Sequence, residues 1–116
     1  MRFMMLVKGA EDAGMPPHAL FDAIDKLIAE QLKSGALVDT GGLAPTAEGA
    51  RVRSAGGTMS VTDGPFADAK EVIGGYAIFN AQSREEAIRL AQDFIDLHVQ
   101  HWPEWECVCE VRQIAE

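Results

Sequence analysis

Arg2-Phe3-Met4-Met5-Leu6-Val7-Lys8-Gly9 is the stretch on which the fold turns. Residues 2–9 read as one strand, and successive side chains of a strand leave opposite faces. Phe3, Met5 and Val7 point one way, Met4 and Leu6 the other. A strand apolar on both sides belongs inside a sheet whose two faces are both covered, so two covers are needed.

The first cover is helical. Pro16 and Pro17 open a helix, where a missing N–H costs least. Leu20, Ile24, Leu27, Ile28 and Leu32 follow at helical spacing as one apolar stripe. Lys33 falls in the last turn and Gly35 supplies the stop. Residues 36–40 resume as a strand that Gly41-Gly42 interrupts. Arg51-Val52-Arg53 and Thr58-Met59-Ser60-Val61 alternate around Ala55-Gly56-Gly57, as a glycine-turned hairpin does. Residues 72–81 form a strand rich in Val72, Ile73, Tyr76, Ile78 and Phe79, and Gly74-Gly75 marks a bulge or a close backbone approach. Ser83-Arg84-Glu85-Glu86 is a capping box. The helix behind it carries Ala87, Ala91, Phe94, Ile95 and His98 on one side and ends before Pro103. A last strand covers residues 106–114.

The order β-α-β-hairpin-β-α-β predicts an α+β, ferredoxin-like βαββαβ domain with an added hairpin. Two helices cover one face of its antiparallel sheet. The other face, apolar at Met4, Leu6, Tyr76 and Ile78, calls for an identical sheet packed against it. The expected partner is therefore a second copy of the chain, in a two-fold homodimer.

Composition narrows the function classes. The 116 residues fit one domain spanning 1–116; 47% are hydrophobic and 24% charged, ordinary for a packed protein. A net charge of -8 and ten scattered basic residues argue against nucleic acid and anionic membrane as partners. The apolar run at the start is too short for a signal peptide or a membrane span. Two cysteines, Cys107 and Cys109, one residue apart on a strand, fit a reducing cytoplasm. No phosphate loop, dinucleotide fingerprint or nucleophile elbow is present, and no cofactor is expected.

Asp63-Gly64-Pro65-Phe66-Ala67-Asp68-Ala69-Lys70-Glu71 and the following Gly74-Gly75-Tyr76 resemble the signature of the DGPF family, part of the YCII-related group. Asp68 stands where glutamate is more usual. The opening strand and Ser83 to Ile88 extend the resemblance along the chain. It implies a dimeric α/β barrel, kin in fold to cofactor-free monooxygenases and muconolactone isomerases, and an association with extracytoplasmic-function sigma factors. The His–Asp pair of the YCII branch falls on Ile24 and Lys33 here and does not carry over.

Three functional readings follow. In the first, the protein binds or transforms a small organic molecule in a cleft of the homodimer. Asp63 is then the acid/base candidate and Lys70 its charge partner. Gly64, Pro65, Phe66, Arg53, Trp102 and Trp105 line the ligand site. In the second, the domain is a non-catalytic ligand-binding or regulatory module, and the Asp63 turn only shapes a β-connection. In the third, His98, His101, Cys107 and Cys109 bind metal. Their H-x2-H-x5-C-x-C spacing is not one of the standard zinc patterns, so no metal site is favoured.

Overall fold

Along the chain the elements run β1 (Arg2–Gly9), α1 (His18–Ser34), β2 (Leu37–Gly42), a 3-10 turn (Thr46–Glu48), β3 (Ala50–Ala55), β4 (Thr58–Asp63), β5 (Val72–Asn80), α2 (Arg84–His101) and β6 (Cys107–Gln113). The computed structural model describes residues 1–66 and 68–116. Four strands form one antiparallel sheet in the order β2-β5-β1-β6. This α+β arrangement is compatible with the ferredoxin-like fold.

β1 is flanked on both edges, as its two apolar faces require. Phe3, Met5 and Val7 are buried under the helices with Leu37, Ala77, Phe79, Ala87 and Ala91. Met4 and Leu6 lie on the opposite face beside their cross-strand neighbours Ile78 and Tyr76, all four half-buried. The register slips between Val7 and Lys8, which pair with Gly75 and Ile73, so Gly74 is the extra residue of a bulge. Gly75 itself meets the Gly41 carbonyl: a Cβ there would stand 3.1 Å from that oxygen.

Two local expectations change. β2 runs through Gly41 and Gly42 instead of breaking at them, and both pair with β5. The Tyr76 ring lies over Gly41, where a Cβ would sit 3.0 Å from it, so the glycine admits the ring rather than ending the strand. The apolar stripe of α1 ends on Gln31, which is buried, and not on Leu32, which is 51% exposed. Both positions are one turn beyond Ile28, three and four residues on.

The ends of the helices follow local chemistry. Ser83 Oγ accepts the Glu86 N–H at 3.1 Å, and Gly35, at φ 82°, turns its N–H back to the Leu32 carbonyl. β3 and β4 form a separate two-stranded sheet around Gly56 and Gly57, both at positive φ as a two-residue hairpin turn demands. Among the described residues no helix is long and apolar enough to cross a membrane.

Candidate functional site

Helix α1 rests on α2 and β2 and stands off β1 and β5. Its stripe residues Ile24, Leu27 and Ile28 are consequently only half-buried. The gap beneath them is a cavity of about 820 Å³, within the range that holds small ligands. Met5, Val7, Ala77 and Phe79 form its floor, α1 its roof, and Phe94, His98, Trp102 and Trp105 one wall. Residues 11 and 13–16 and residues 43–45 frame it.

Two deeply buried polar side chains line this mainly apolar space. Gln31 is 9% exposed and His98 6%. Among the described residues the Gln31 Nε2 has no hydrogen-bond partner. A buried amide donor without an acceptor is costly, by about 1–3 kcal/mol, and native interiors rarely leave one. His98 Nδ1 lies 3.0 Å from the Phe94 carbonyl oxygen. A carbonyl can only accept, so Nδ1 carries the proton and Nε2 presents a lone pair. Burial holds the imidazole below its ordinary value of 6.5, and the bond to Phe94 opposes this only partly. His98 is therefore neutral at pH 7.

The wall is a continuous row of rings. Phe94 and His98 have centroids 4.5 Å apart, His98 and Trp105 5.6 Å, and Trp102 stacks on Trp105 at 5.1 Å. Trp105 is seated flat on β1, because Gly9 has no Cβ to collide with its ring. Its Nε1 donates to the Ala10 carbonyl at 3.2 Å.

The Asp63-Gly64-Pro65-Phe66 segment lies outside the cavity lining, as do Arg53 and Lys70. Asp63, Arg53 and Lys70 are exposed. The Gly64–Pro65 peptide is cis. Gly64 donates its N–H to the Gly49 carbonyl at 2.9 Å, and a Cβ on it would fall on the Thr46 carbonyl. The Arg51 guanidinium covers the Phe66 ring at 4.1 Å and pairs with Asp68 at 2.9 Å. The segment thus docks on the 3-10 turn, and Thr46 links it to Glu11, a lining residue of the cavity. Trp102 and Trp105, by contrast, are in the wall itself.

Of the four candidate metal ligands, His98 joins the wall. Cys107 and Cys109 are free thiols on β6. Burial and the neighbouring Cys107 push Cys109 up to about 12, and burial raises Cys107 as well, so neither is a thiolate near neutrality. Among the described residues, no three His, Cys, Asp or Glu side chains are grouped so as to hold a metal. Gln31 is the site residue that sequence reasoning missed. Its signal was a polar residue three places after Ile28, inside an otherwise apolar stripe.

Strand order and cavity together define a small α+β domain with a largely apolar cleft between its first helix and its sheet. The chain belongs to the YCII-related domain family, whose profile matches residues 1–94. Gln31, Thr46 and the Asp63–Phe66 segment fall within the matched residues, and His98 and the two tryptophans lie beyond them. An uncharacterised protein of Rhizobium meliloti (strain 1021) is 36% identical over 62 residues, 53% of this chain. The match spans 50% of that relative, so the chain covers about half the length of the curated relative it matches.

Proposed function

We propose that this protein binds a small, uncharged, largely apolar organic molecule in the cavity beneath α1. The observation that carries the reading is the unpartnered Gln31 amide, nine-tenths buried in the lining of an apolar space. A ligand that supplies apolar surface to Ile24, Leu27 and Ile28, and an acceptor toward which the Gln31 amide turns, relieves both deficits together. Among the described residues no lysine or arginine lines the cavity, so a carboxylate or phosphate would be desolvated there without a counter-charge. Catalysis by Asp63 and Lys70 has less support, because neither side chain lines this space; we read the loop that holds them as a brace for the cavity rim.

The assembly we propose is a homodimer through the face of the sheet remote from the helices. Met4, Leu6, Tyr76 and Ile78 support it: they form a half-buried apolar patch on that face of the sheet. Light scattering is expected to give twice the chain mass, and Leu6→Glu the chain mass alone. A monomeric wild type removes the dimer.

The ligand reading is tested by thermal shift with uncharged fragments such as indole, naphthalene and cyclohexanone. Wild type is expected to be stabilised by members of the set. Ile24→Trp, which fills the cavity, should melt higher without ligand and respond weakly. The reading fails if no fragment stabilises wild type, or if the filled variant responds equally.

A further inference from the structure

We infer that the cavity takes an aromatic alcohol, its ring laid along the Phe94–His98–Trp105–Trp102 row and its hydroxyl donated to His98 Nε2. This rests on the ligand-binding reading above and names the chemical class.

Three observations converge on it. First, the four rings run in sequence with neighbouring centroids 4.5, 5.6 and 5.1 Å apart, and all four line the cavity. A planar π-system gains offset stacking on such a wall, beyond the area it buries. Second, the tautomer of His98 is set by the backbone of its own helix. The Phe94 carbonyl, one helical turn earlier, takes the Nδ1 proton. The nitrogen that remains is an acceptor, so its complement on the ligand is an O–H and not a carbonyl. Third, the lining is electrostatically unsuited to a charged ligand. Among the described residues it contains no lysine or arginine. Its carboxylate, Glu11, has both oxygens engaged by Thr46. A phenol meets these conditions: flat, uncharged at neutral pH, and a hydrogen-bond donor.

The test uses isothermal titration of the full chain at pH 7.5 with 2-naphthol, 2-methoxynaphthalene and 2-naphthoate. The first two share a ring system and differ in the O–H; the third carries a charge. Wild type is expected to bind 2-naphthol about tenfold more tightly than the methyl ether, the scale of one hydrogen bond, and 2-naphthoate most weakly. His98→Phe keeps a ring in the row and should bind the two neutral compounds alike. A readout that needs no variant is the imidazole 15N spectrum of wild type. The Nε2 resonance of His98 should move on adding 2-naphthol and stay in place with the ether. Equal affinity of wild type for alcohol and ether overturns the hydroxyl contact while leaving a ligand cavity standing. So does an unmoved Nε2 resonance, or an alcohol preference that survives in His98→Phe. Failure of all three compounds to bind, with uncharged aliphatic fragments still stabilising wild type, overturns the aromatic class alone. Failure of every fragment overturns the cavity reading as well.

Discussion

Thr46 holds Glu11 twice: its backbone N–H donates to Oε2 at 2.8 Å and its hydroxyl to Oε1 at 2.6 Å. The same hydroxyl accepts the Phe66 N–H at 3.5 Å, and the Thr46 carbonyl lies against Gly64. A motif on the far side of the 3-10 turn is thereby tied to the cavity rim through one threonine. Two loops that share no strand ladder are joined there, the β1–α1 connection carrying Glu11 and the segment that follows β2.

Thr46→Val removes the hydroxyl and keeps the shape. Because Glu11 is exposed, global stability should change little, whereas amide exchange in residues 10–16 and 43–48 should quicken severalfold. Hydrogen exchange read by mass spectrometry checks this, and unchanged rates would mean that the two loops are held by something else. Acid should mimic the variant. The Thr46 hydroxyl first, and its N–H second, hold the Glu11 carboxyl below its ordinary 4.5. A depressed carboxylate contributes above 4.5, and the contribution is lost as pH falls through the lowered value. The difference between wild type and variant should therefore close in strong acid.

Gly64→Ala tests the brace from the other side. A Cβ at Gly64 falls on the Thr46 carbonyl, which is backbone and cannot swing away. The variant should lose about 1–3 kcal/mol in urea unfolding, the usual cost of overpacking. Gly42→Ala is the control, since a Cβ there meets nothing within 4 Å. Equal effects at the two glycines would show that the tight contact carries no energetic weight.

These contacts explain which parts of the molecule could be read in advance. The two-faced pattern of β1 placed it inside the sheet, and Ser83 with Glu86 placed the start of α2, because strand alternation and capping are local properties. The bulge at Gly74 was legible as a glycine pair in a strand. Gln31 and His98 were not legible as a pair: they come from different helices, and only the packing of α1 on α2 and β2 puts them on one cavity. Hydrophobicity favoured Leu32 for the end of the stripe, although residues 31 and 32 fit the helical period almost equally well. His98 was noticed for its spacing to cysteines, but its actual neighbours, Phe94 and Trp105, are rings. For Asp63 the turn chemistry was plain in the sequence, while its distance from the cleft depended on where β4 ends.

Gln31→Leu should stabilise the free protein. The change removes an NH2 group that has no partner and keeps nearly the same volume. The gain expected is about 1 kcal/mol, the lower end of the penalty for an unsatisfied buried donor. Fragments with an acceptor oxygen should at the same time bind less well than to wild type, while purely hydrocarbon fragments are unaffected. Urea unfolding and titration of the same two proteins measure both effects. Lower stability in the leucine variant would mean that the amide is satisfied in solution and that Gln31 is a structural residue.

His98 makes stability depend on pH in a window that no exposed histidine would produce. Its folded-state value lies below 6.5, chiefly through burial. Between the two values the unfolded chain binds the proton and the folded protein does not, so stability rises with pH there. Descending from neutrality, wild type should begin to weaken near pH 6.5 and continue until the lowered value is passed, where this dependence levels off. Glu71, Glu106 and Cys107 line a second, smaller cavity with the ring, so the comparison must isolate the histidine. His98→Phe keeps the stacking and cannot titrate; its stability curve should lack the added fall below pH 6.5 while sharing the carboxylate losses at lower pH. Unfolding in urea at steps of about half a pH unit, from neutral to mildly acidic pH, distinguishes the two curves. Parallel curves would mean that His98 is not desolvated, and the lone pair assigned to Nε2 would then be shared with solvent instead of being held for a ligand.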